Sequence, residues 1–299
     1  MPPSLVIDIQ ILWSDFAKIG SALPYLEYLL KVWESKLSMI MQIRQNRPLP
    51  RVADVGMKPY KMIMEWYCYV ESPWRMGCMN EKLLILFLKY PEANRVKTRL
   101  GREIGYTRAA RLYEKMVLQQ ISDLTSNSYE LALYVDDRHD IAAYKEKFGG
   151  NGIYLYQKGK DLGERMARAM EESFLLGYGR VILMGSDVPL VDLLAVNSFF
   201  DHLLTADMVI GPSTDGGYYM IGFQNTIDIS PVFKNIAWST ERVFESTMAK
   251  VTHLKVQVEK IWFDLDTLED FGLYQRLLRT GDTFSRVDLV DKTISKKHN

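Results

Sequence analysis

From residue 82 onwards, short apolar runs alternate with longer amphipathic segments. The runs have the length of strands, and in the segments between them apolar positions recur at every third or fourth residue, which is the helical spacing. The predicted strands are KLLILFLK, YELALYVDD, GIYLYQK, RVILMG, ADMVIGP and GYYMIGF. The predicted helices are YTRAARLYEKMVLQQISDL, DIAAYKEKFG, DLGERMARAMEESFLLG, LVDLLAVNSFFDHLL, STERVFESTMAKV and TLEDFGLYQRLLRTG. This alternation predicts an α/β domain with a mostly parallel sheet that helices cover on both faces.

The first 79 residues have a different pattern. They contain four of the six tryptophans and eight of the fifteen methionines, and the proline-rich stretch RQNRPLPRVADVGMKPY indicates a loop. Residues 23–43 carry apolar side chains at helical spacing. A helix packed on the main domain is favoured over a surface for a partner or a membrane, because the segment lacks a basic face. We therefore predict a partly helical N-terminal extension over 1–79 and a main domain over 80–299.

Charge and cysteine content exclude several classes of protein. Lysine plus arginine and aspartate plus glutamate each number 37, and this balance argues against nonspecific nucleic-acid binding. The two cysteines, Cys68 and Cys78, form neither a disulfide framework nor a zinc-ligand cluster. No apolar stretch is long enough for a transmembrane segment, and the N-terminus is a poor secretory signal. We expect a cytoplasmic protein.

A basic loop, FLKYPEANRVKTRLG, follows the first predicted strand. Four cations, Lys89, Arg95, Lys97 and Arg99, lie within eleven residues, with Thr98 between the last two. Like charges at the end of a strand repel each other unless they share an anion, and arginine and lysine suit a phosphate-bearing ligand. The alternative is a solvated loop with salt-bridge partners elsewhere, but we favour the phosphate site. The loop is not a P-loop, because GxxxxGK[ST] is absent.

The stretch GKDLGERMARAM begins a predicted helix. Asp161 is expected to cap this helix, with Glu164 closing a capping box. Gly163 permits the close approach of another backbone or of a ligand, and Arg165 is long enough to reach a phosphate. Structural and functional interpretations of Gly163 and Arg165 are evenly balanced.

Acidic residues stand where a metal site is expected. Asp187 ends the buried run in RVILMGSDVPLV, and open α/β sheets bind ligands at the carboxyl ends of their strands. Asp264 and Asp266, in WFDLDTLEDF, point the same way if the backbone is extended, and could complete a Mg²⁺ site with Asp187. The structural alternatives are a turn at Asp187 and a helix start at Asp266, next to a capping box of Thr267 and Asp270.

A glycine-containing turn follows in GPSTDGGYYMIGF. Asp215, Gly216 and Gly217 permit positive φ and allow a ligand to lie against main-chain amides. An ordinary Asp-Gly hairpin turn is the alternative. Tyr218 is a candidate pocket residue, and Trp238, in WSTERV, is a candidate wall of the same pocket.

Other chemistries lack their motifs. The four histidines form neither HxxxH nor HExxH, and no G-x-S-x-G is present. No G-x-G-x-x-G follows a predicted strand, which disfavours a dinucleotide-binding enzyme.

In this order, the motifs resemble a bacterial glycosyltransferase-like family whose members are described as selenodomain-associated proteins or nucleotide-diphospho-sugar transferases. The segments that carry the resemblance, over about 82–279, are FLKYPEANRVKTRLG, GKDLGERMARAM, MGSDVPLV, GPSTDGGYYMIGF, WSTERV and FDLDTLEDF. The resemblance implies the GT-A fold, a three-layer α/β/α sandwich with a mostly parallel sheet. The wider relatives include nucleotidylyltransferases that act on sugar phosphates, molybdenum cofactor and 2-phospholactate.

The resemblance also implies roles for particular residues. In the relatives, the aspartate of a GD-x-P element binds the metal that bridges the nucleotide phosphates, which implies this role for Asp187. Here a serine is inserted before that aspartate. The guanylyltransferase relatives have a DGG turn near the substrate, similar to residues 215–217. The usual opening loop of nucleotidylyltransferases, with small residues and spaced glycines before an arginine, is replaced here by KYPEANRVKTRL.

We therefore predict a metal-dependent transferase with a nucleotide-activated donor, most simply a nucleotide-diphospho-sugar glycosyltransferase acting on a small-molecule acceptor. Asp187 and Asp266 are expected to hold Mg²⁺ or Mn²⁺, and Asp215 is the candidate general base. The remaining site residues are Lys89, Arg95, Lys97, Thr98, Arg99, Gly163 and Arg165 for the nucleotide and phosphates, and Gly216, Gly217, Tyr218 and Trp238 for the substrate pocket. Two alternatives stay open: a nucleotidylyltransferase that uses a nucleoside triphosphate and a phosphorylated acceptor, and a non-catalytic nucleotide-binding module.

Overall fold

The computed structural model describes residues 81–149 and 152–289. The predicted N-terminal extension over 1–79 and its helix over 23–43 lie outside these ranges. The boundary between the extension and the main domain therefore stays a prediction. Within the described ranges, no helix is both long and apolar enough to cross a membrane.

A seven-stranded sheet forms the centre of the described part of the chain. Its strands are β1 (Lys82–Leu88), β2 (Glu130–Val135), β3 (Ile153–Tyr156), β4 (Arg180–Gly185), β5 (Met208–Pro212), β6 (Tyr218–Gln224) and β7 (Val256–Val258). In space they follow the order β3-β2-β1-β4-β6-β5-β7. Neighbouring strands are parallel except where β6 pairs with β4 and β5. The predicted mostly parallel sheet is confirmed.

Helices cover both faces of this sheet. They are α1 (Thr98–Ile104), α2 (Tyr106–Leu124), α3 (Ile141–Phe148), α4 (Leu162–Leu175), α5 (Leu193–His202), α6 (Ser230–Phe233), α7 (Val243–Met248) and α8 (Leu268–Thr280). Leu84 and Leu86 of β1 belong to a buried cluster with side chains of α2, α3, α5 and α8. Leu83 and Ile85 belong to a second cluster with α4 and α6. Successive strand residues face opposite sides of the sheet. A strand that is apolar on both sides must therefore be covered by helices on both faces, as the three-layer prediction requires.

A few short elements differ from the prediction. The hydrophobic pattern does not predict α1, α6 or β7, and it predicts a helix over 239–251 where only Val243–Met248 is helical. Each of these elements has seven residues or fewer, which is too short for a period to be recognised. Ser239 has a φ of 65°, so the helix cannot include it.

The centre of the sheet positions the candidate site. The chain runs from β1 outwards to β2 and β3, and then returns to place β4 on the other side of β1. Phe87 pairs with Gly185, and the Ser186 N–H donates to the Phe87 carbonyl at 3.0 Å. The segments after β1 and β4 therefore leave the same edge of the sheet side by side. In open α/β sheets, this reversal of strand order forms a crevice at the carboxyl ends of the strands.

Candidate functional site

The ammonium of Lys97 lies between two carboxylates at the carboxyl ends of β1 and β4. Its Nζ is 2.5 Å from Asp187 Oδ1 and 3.4 Å from Asp266 Oδ1. The Lys97 side chain is 0% exposed, whereas the side chains of Asp187 and Asp266 are 49% and 38% exposed. Three segments that are distant in sequence therefore meet at a buried cation whose acidic partners face solvent.

The local backbone explains how this lysine is buried. Lys97 has a φ of 48°, in the left-handed region that residues other than glycine seldom adopt. Its carbonyl accepts a hydrogen bond from the Gly101 N–H of α1 at 2.7 Å. The side chain passes over the ring of Tyr113, with Nζ 5.9 Å from the ring centroid. Because a charged lysine is rarely buried unless it is paired, the two carboxylates are what allow this conformation.

The two carboxylates differ in their electrostatics. Burial raises the pKa of Asp187, but the charge and hydrogen bond of Lys97, with a smaller contribution from Lys89, hold it below its usual value. Burial raises the pKa of Asp266; Lys97 opposes this shift and the negative charge of Asp187 adds to it. Asp187 is therefore the more acidic of the two carboxyls that contact the Lys97 ammonium.

A third carboxyl, Asp264, has a different partner. It accepts a hydrogen bond from Ser213 Oγ, whereas Asp266 contacts Lys97. Burial raises the pKa of Asp264 to about 7; the Ser213 hydrogen bond opposes this shift, and the negative charges of Asp215 and Asp187 increase it. Asp264 thus links the cluster around Lys97 electrostatically to the turn that contains Asp215.

Tyr113 of α2 connects the two strand ends beneath the site. Its hydroxyl accepts a hydrogen bond from the Lys89 N–H at 2.9 Å and lies 2.7 Å from Ser186 Oγ. The side chain is 1% exposed, and burial, together with the charge of Asp187, raises the pKa of its hydroxyl. The hydroxyl therefore stays protonated and fixes the position of the residue that precedes Asp187. Sequence reasoning missed Tyr113, because in a helical pattern it is one apolar position among several.

The five predicted phosphate-binding residues of the basic loop divide into two groups. Only Lys97 is buried, while Lys89, Arg95, Thr98 and Arg99 are exposed. The charge of Lys89 still reaches Asp187, and that of Arg99 reaches Asp266. The loop therefore combines one enclosed ammonium with a rim of solvated cations.

Arg99 also borders a cleft beside this cluster. The cleft has a volume of about 440 Å³ and lies between α1 and the first turn of α8. Its lining consists of Arg99, Arg102, Glu103, Thr267, Leu268 and Glu269. Sequence reasoning missed Arg102, which looks like an ordinary solvated helix position.

Gly163, Arg165 and Trp238 are engaged in packing and backbone contacts of their own. A Cβ atom at Gly163 would be 2.5 Å from Trp238 Cζ2 and 2.6 Å from the Phe233 carbonyl oxygen, so the glycine allows α4 to pack closely. Arg165 Nε donates to the Gly159 carbonyl at 3.1 Å. These contacts give structural reasons for both Gly163 and Arg165, and none of them involves Lys97. The predicted cap is present: Asp161 accepts from the Glu164 N–H at 2.8 Å.

The DGG turn connects β5 to β6 as a hairpin. Asp215 is exposed and its Oδ1 accepts from the Gly217 N–H at 2.9 Å. Gly216 has a φ of 88°, and a Cβ there would collide with the backbone of Glu241. Tyr218 points under α4, with its hydroxyl 4.0 Å from Met166 Sδ. The turn itself packs against the chain that leads into α7, and its aspartate faces outwards.

The acidic residues of α8 behave as the capping motif predicts. Thr267 Oγ1 accepts from the Asp270 N–H at 3.3 Å, and Asp270 Oδ2 accepts from the Thr267 N–H at 2.7 Å. Asp270 also accepts from the Asp266 N–H at 3.1 Å, which fixes the backbone at Asp266. Among residues 81–149 and 152–289, no group of three or more His, Cys, Asp or Glu side chains is arranged to hold a metal ion.

Comparisons with known proteins agree with this fold. Residues 118–240 match a family described as "Uncharacterized protein conserved in bacteria (DUF2064)". A crystal structure from Desulfovibrio desulfuricans G20, whose name assigns it provisionally to the nucleotide-diphospho-sugar transferases, is 37% identical with a TM-score of 0.65. The match covers 67% of this chain and 88% of that one.

A second relative has an assigned activity. The 2-phospho-L-lactate guanylyltransferase of Methanothermobacter thermautotrophicus is 27% identical over 181 residues, which cover 59% of this chain and 77% of that protein. The match to the D. desulfuricans structure, at 37% identity over 88% of that chain, establishes the family relationship. The chain belongs to the DUF2064 family, a bacterial family with a nucleotide-transferase-like α/β fold.

Proposed function

We propose that this protein is a metal-dependent transferase that moves a glycosyl group from a nucleotide-diphospho-sugar to a small-molecule acceptor. The observation that supports it most is the meeting of Lys97, Asp187 and Asp266 in the crevice between β1 and β4. A buried ammonium beside two solvent-facing carboxylates suits a ligand that carries both a cation and phosphates. The name of the D. desulfuricans relative supports a nucleotide sugar as the donor.

The residues present fit a divalent cation. Mg²⁺ commonly takes one or two carboxylates together with substrate phosphates and water. Asp187 and Asp266 offer two carboxylates from separate segments, and the single charge of Lys97 does not balance both of them when they are ionised. Mg²⁺ or Mn²⁺ held by these two residues would neutralise negative charge on the donor diphosphate and on the leaving nucleotide.

The cations of the basic loop supply the rest of the electrostatic stabilisation. Lys97 is enclosed and held in place, so its ammonium needs little reorganisation to stabilise an oxyanion that develops beside it. Lys89 and Arg95 are solvated and free to turn towards the phosphates. Tyr113 holds the ends of β1 and β4 in register through Lys89 N–H and Ser186 Oγ.

Asp215 is the candidate for contact with the acceptor. Its Oδ1 is engaged by the Gly217 N–H, which orients the carboxylate at the tip of the hairpin. A carboxylate that accepts a hydrogen bond from an acceptor hydroxyl acts as a general base when that hydroxyl attacks the sugar carbon.

A thermal-shift screen tests donor binding. The full chain is heated with nucleotide sugars and nucleoside triphosphates, with and without Mn²⁺, and each variant is compared with its own ligand-free melting temperature. A ligand that binds only the folded state raises this temperature. We expect a Mn²⁺-dependent shift for the wild type and for Asp123→Asn, an exposed control on α2, but not for Asp187→Asn. A shift of equal size in Asp187→Asn contradicts the proposal.

The second candidate is nucleotidyl transfer to a small phosphorylated acceptor. It is favoured by the guanylyltransferase relative, although that similarity is weaker. The two reactions release different products: glycosyl transfer releases a nucleoside diphosphate, and nucleotidyl transfer releases pyrophosphate. Release of pyrophosphate from a labelled triphosphate would replace our first choice by this candidate. Metal-dependent binding without either product would instead support a non-catalytic nucleotide-binding module.

A further inference from the structure

The cleft between α1 and α8 is positioned next to the proposed donor site. Arg99 follows Lys97 by two residues, and Thr267 comes directly after Asp266, so each wall of the cleft continues from a residue of the cluster. A molecule in the cleft would therefore lie beside the phosphates of a donor held at Asp187 and Asp266.

The charges that line the cleft select a type of ligand. Arg99 and Arg102 are three residues apart on α1, so their guanidinium groups project from one side of the helix. Neither forms an ion pair with another described residue, and both are exposed. Two unpaired guanidinium groups on one wall suit a single carboxylate or phosphate, which arginine binds with two parallel hydrogen bonds.

The acidic residues of the lining limit the number of anionic groups that the ligand can carry. Glu103 and Glu269 also face the cleft, so its formal charge is balanced. Carboxylates repel a second anionic group but accept hydrogen bonds from hydroxyls. A volume of about 440 Å³ lies in the range of small-molecule sites and accommodates a ligand the size of a monosaccharide derivative.

We propose that this cleft is the acceptor subsite and that the acceptor is a small hydroxylated molecule with one anionic group, bound through Arg99 and Arg102. The assignment of the bound molecule as the acceptor rests on the transferase function proposed above. The anionic group contacts the arginines, and the hydroxyls that do not react face Glu103 and Glu269. In this arrangement, Arg99 and Arg102 select the acceptor, while Lys97 and the two aspartates serve the donor.

Three matched probes test the ligand class by calorimetry with the full chain. Glucose 6-phosphate carries a phosphate, glucuronate carries a carboxylate, and glucose carries neither. We expect one or both of the anionic probes to bind the wild type, and glucose to bind much more weakly. Binding of glucose 6-phosphate alone assigns the subsite to phosphates, and binding of glucuronate alone assigns it to carboxylates. Equal binding of all three probes, or of none, overturns the proposal.

Variants locate the binding site. Arg102→Gln should weaken binding of the anionic probe by roughly tenfold or more, because it removes charge-assisted hydrogen bonds. Arg102→Lys should lie between it and the wild type, since the charge remains but the paired geometry is lost. Arg108→Gln, an exposed position on α2, is the control and should have no effect. Unchanged binding in Arg102→Gln refutes the assignment; because Arg102 is exposed, its loss is not expected to unfold the protein.

A separate variant distinguishes this proposal from the donor site. Asp187→Asn should abolish the Mn²⁺-dependent donor shift and retain binding of the anionic probe. If the wild type shows no donor binding or turnover but Arg102-dependent probe binding remains, the transferase function is wrong and the anion site stands. If donors are turned over but no anionic probe binds, the function stands and the acceptor subsite is wrong.

Discussion

Replacing Lys97 by methionine should have a small effect on stability and a large effect on function. Methionine has a similar length and no charge, so Lys97→Met removes the buried ammonium without leaving a large cavity. It also leaves Asp187 and Asp266 without their shared cation. Since both carboxylates are partly exposed, water can solvate them once the lysine has gone.

The distances around Lys97 give the size of its two opposing contributions to stability, the attraction to the carboxylates and the cost of burying the ammonium. At an effective dielectric constant of about 20, unit charges at the Lys97–Asp187 and Lys97–Asp266 distances of 2.5 Å and 3.4 Å attract each other by about 7 and about 5 kcal/mol, and in bulk water by about 2 and about 1 kcal/mol. The half-exposed acids place the pair between these limits. Burial of an ammonium costs several kcal/mol, which offsets most of this attraction. We therefore expect Lys97→Met to change the free energy of unfolding by about 1 kcal/mol or less.

Removal of the Asp187 carboxylate should lower the free energy of unfolding more than removal of the Lys97 ammonium. Asp187→Asn leaves the ammonium of Lys97 fully buried with only Asp266 as its partner. Breaking a buried ion pair from one side typically costs about 3–5 kcal/mol, and the remaining partner should reduce this to about 2–3 kcal/mol. The double variant Lys97→Met/Asp187→Asn removes both charges, so its stability should return towards that of Lys97→Met.

Urea unfolding of the full chain at neutral pH, followed by circular dichroism, measures these differences. Variants are compared by their midpoints where the slopes agree, since a changed slope indicates a change in the unfolded or native state. The same samples are assayed for donor turnover, which we expect to fall by at least about a hundredfold in Lys97→Met, as when one preorganised electrostatic donor is lost. If Lys97→Met is destabilised more than Asp187→Asn, the ammonium is not the group whose burial dominates, and the reasoning is wrong.

Three further predictions concern residues around the site. Tyr113→Phe removes the hydroxyl that accepts from a backbone N–H, and it should lower the free energy of unfolding by about 1–3 kcal/mol and reduce kcat more than it raises KM. Asp192→Ala removes the cap of α5 and should cost about 2 kcal/mol in urea unfolding. Burial raises the pKa of Asp192, but accepted hydrogen bonds lower it below the usual value, so this stabilisation is present above about pH 4 and is lost as the pH falls through the folded-state pKa. Gly163→Ala should destabilise by about 1–3 kcal/mol because its Cβ meets the Trp238 indole. The control Gly272→Ala, whose Cβ would make only an ordinary contact with Arg276 Nη1 at 3.8 Å, should stabilise by about 0.5–1 kcal/mol; equal effects in thermal unfolding would contradict the packing argument.

Most of the fold can be predicted from the sequence, because the apolar residues of the central strands and long helices follow clear patterns. All positions of β1 after Lys82 are buried, and the predicted helix over Tyr106–Leu124 has the bounds of α2. The elements that escape prediction are short or lie at an edge. β7 has three residues, pairs only with β5 among the described strands, and is mostly exposed, so no apolar alternation marks it.

The candidate site is predicted in its parts but not in its contacts. A strand-end aspartate and a basic loop are local features, and the sheet topology brings them together at Lys97 and Asp187. The sequence does not indicate which of the four loop cations is buried, because that depends on the left-handed backbone at residue 97. Nor does it show that Gly163 packs against Trp238, since a glycine required for helix packing looks the same as one required for a ligand.

The arrangement around Lys97 is easier to explain by function than by stability. A buried ion pair is weak evidence for stability, since an apolar side chain of similar size often replaces it at little cost. Here the lysine also adopts an uncommon backbone conformation, which lowers the stability of the folded state further. The carboxylates, which would need enclosure to contribute strongly, remain open to solvent. The enclosed ammonium of Lys97 leaves two partly exposed carboxylates at the mouth of a crevice. In the proposed function, a divalent cation would bind these carboxylates there, and its diphosphate ligand would contact Lys97.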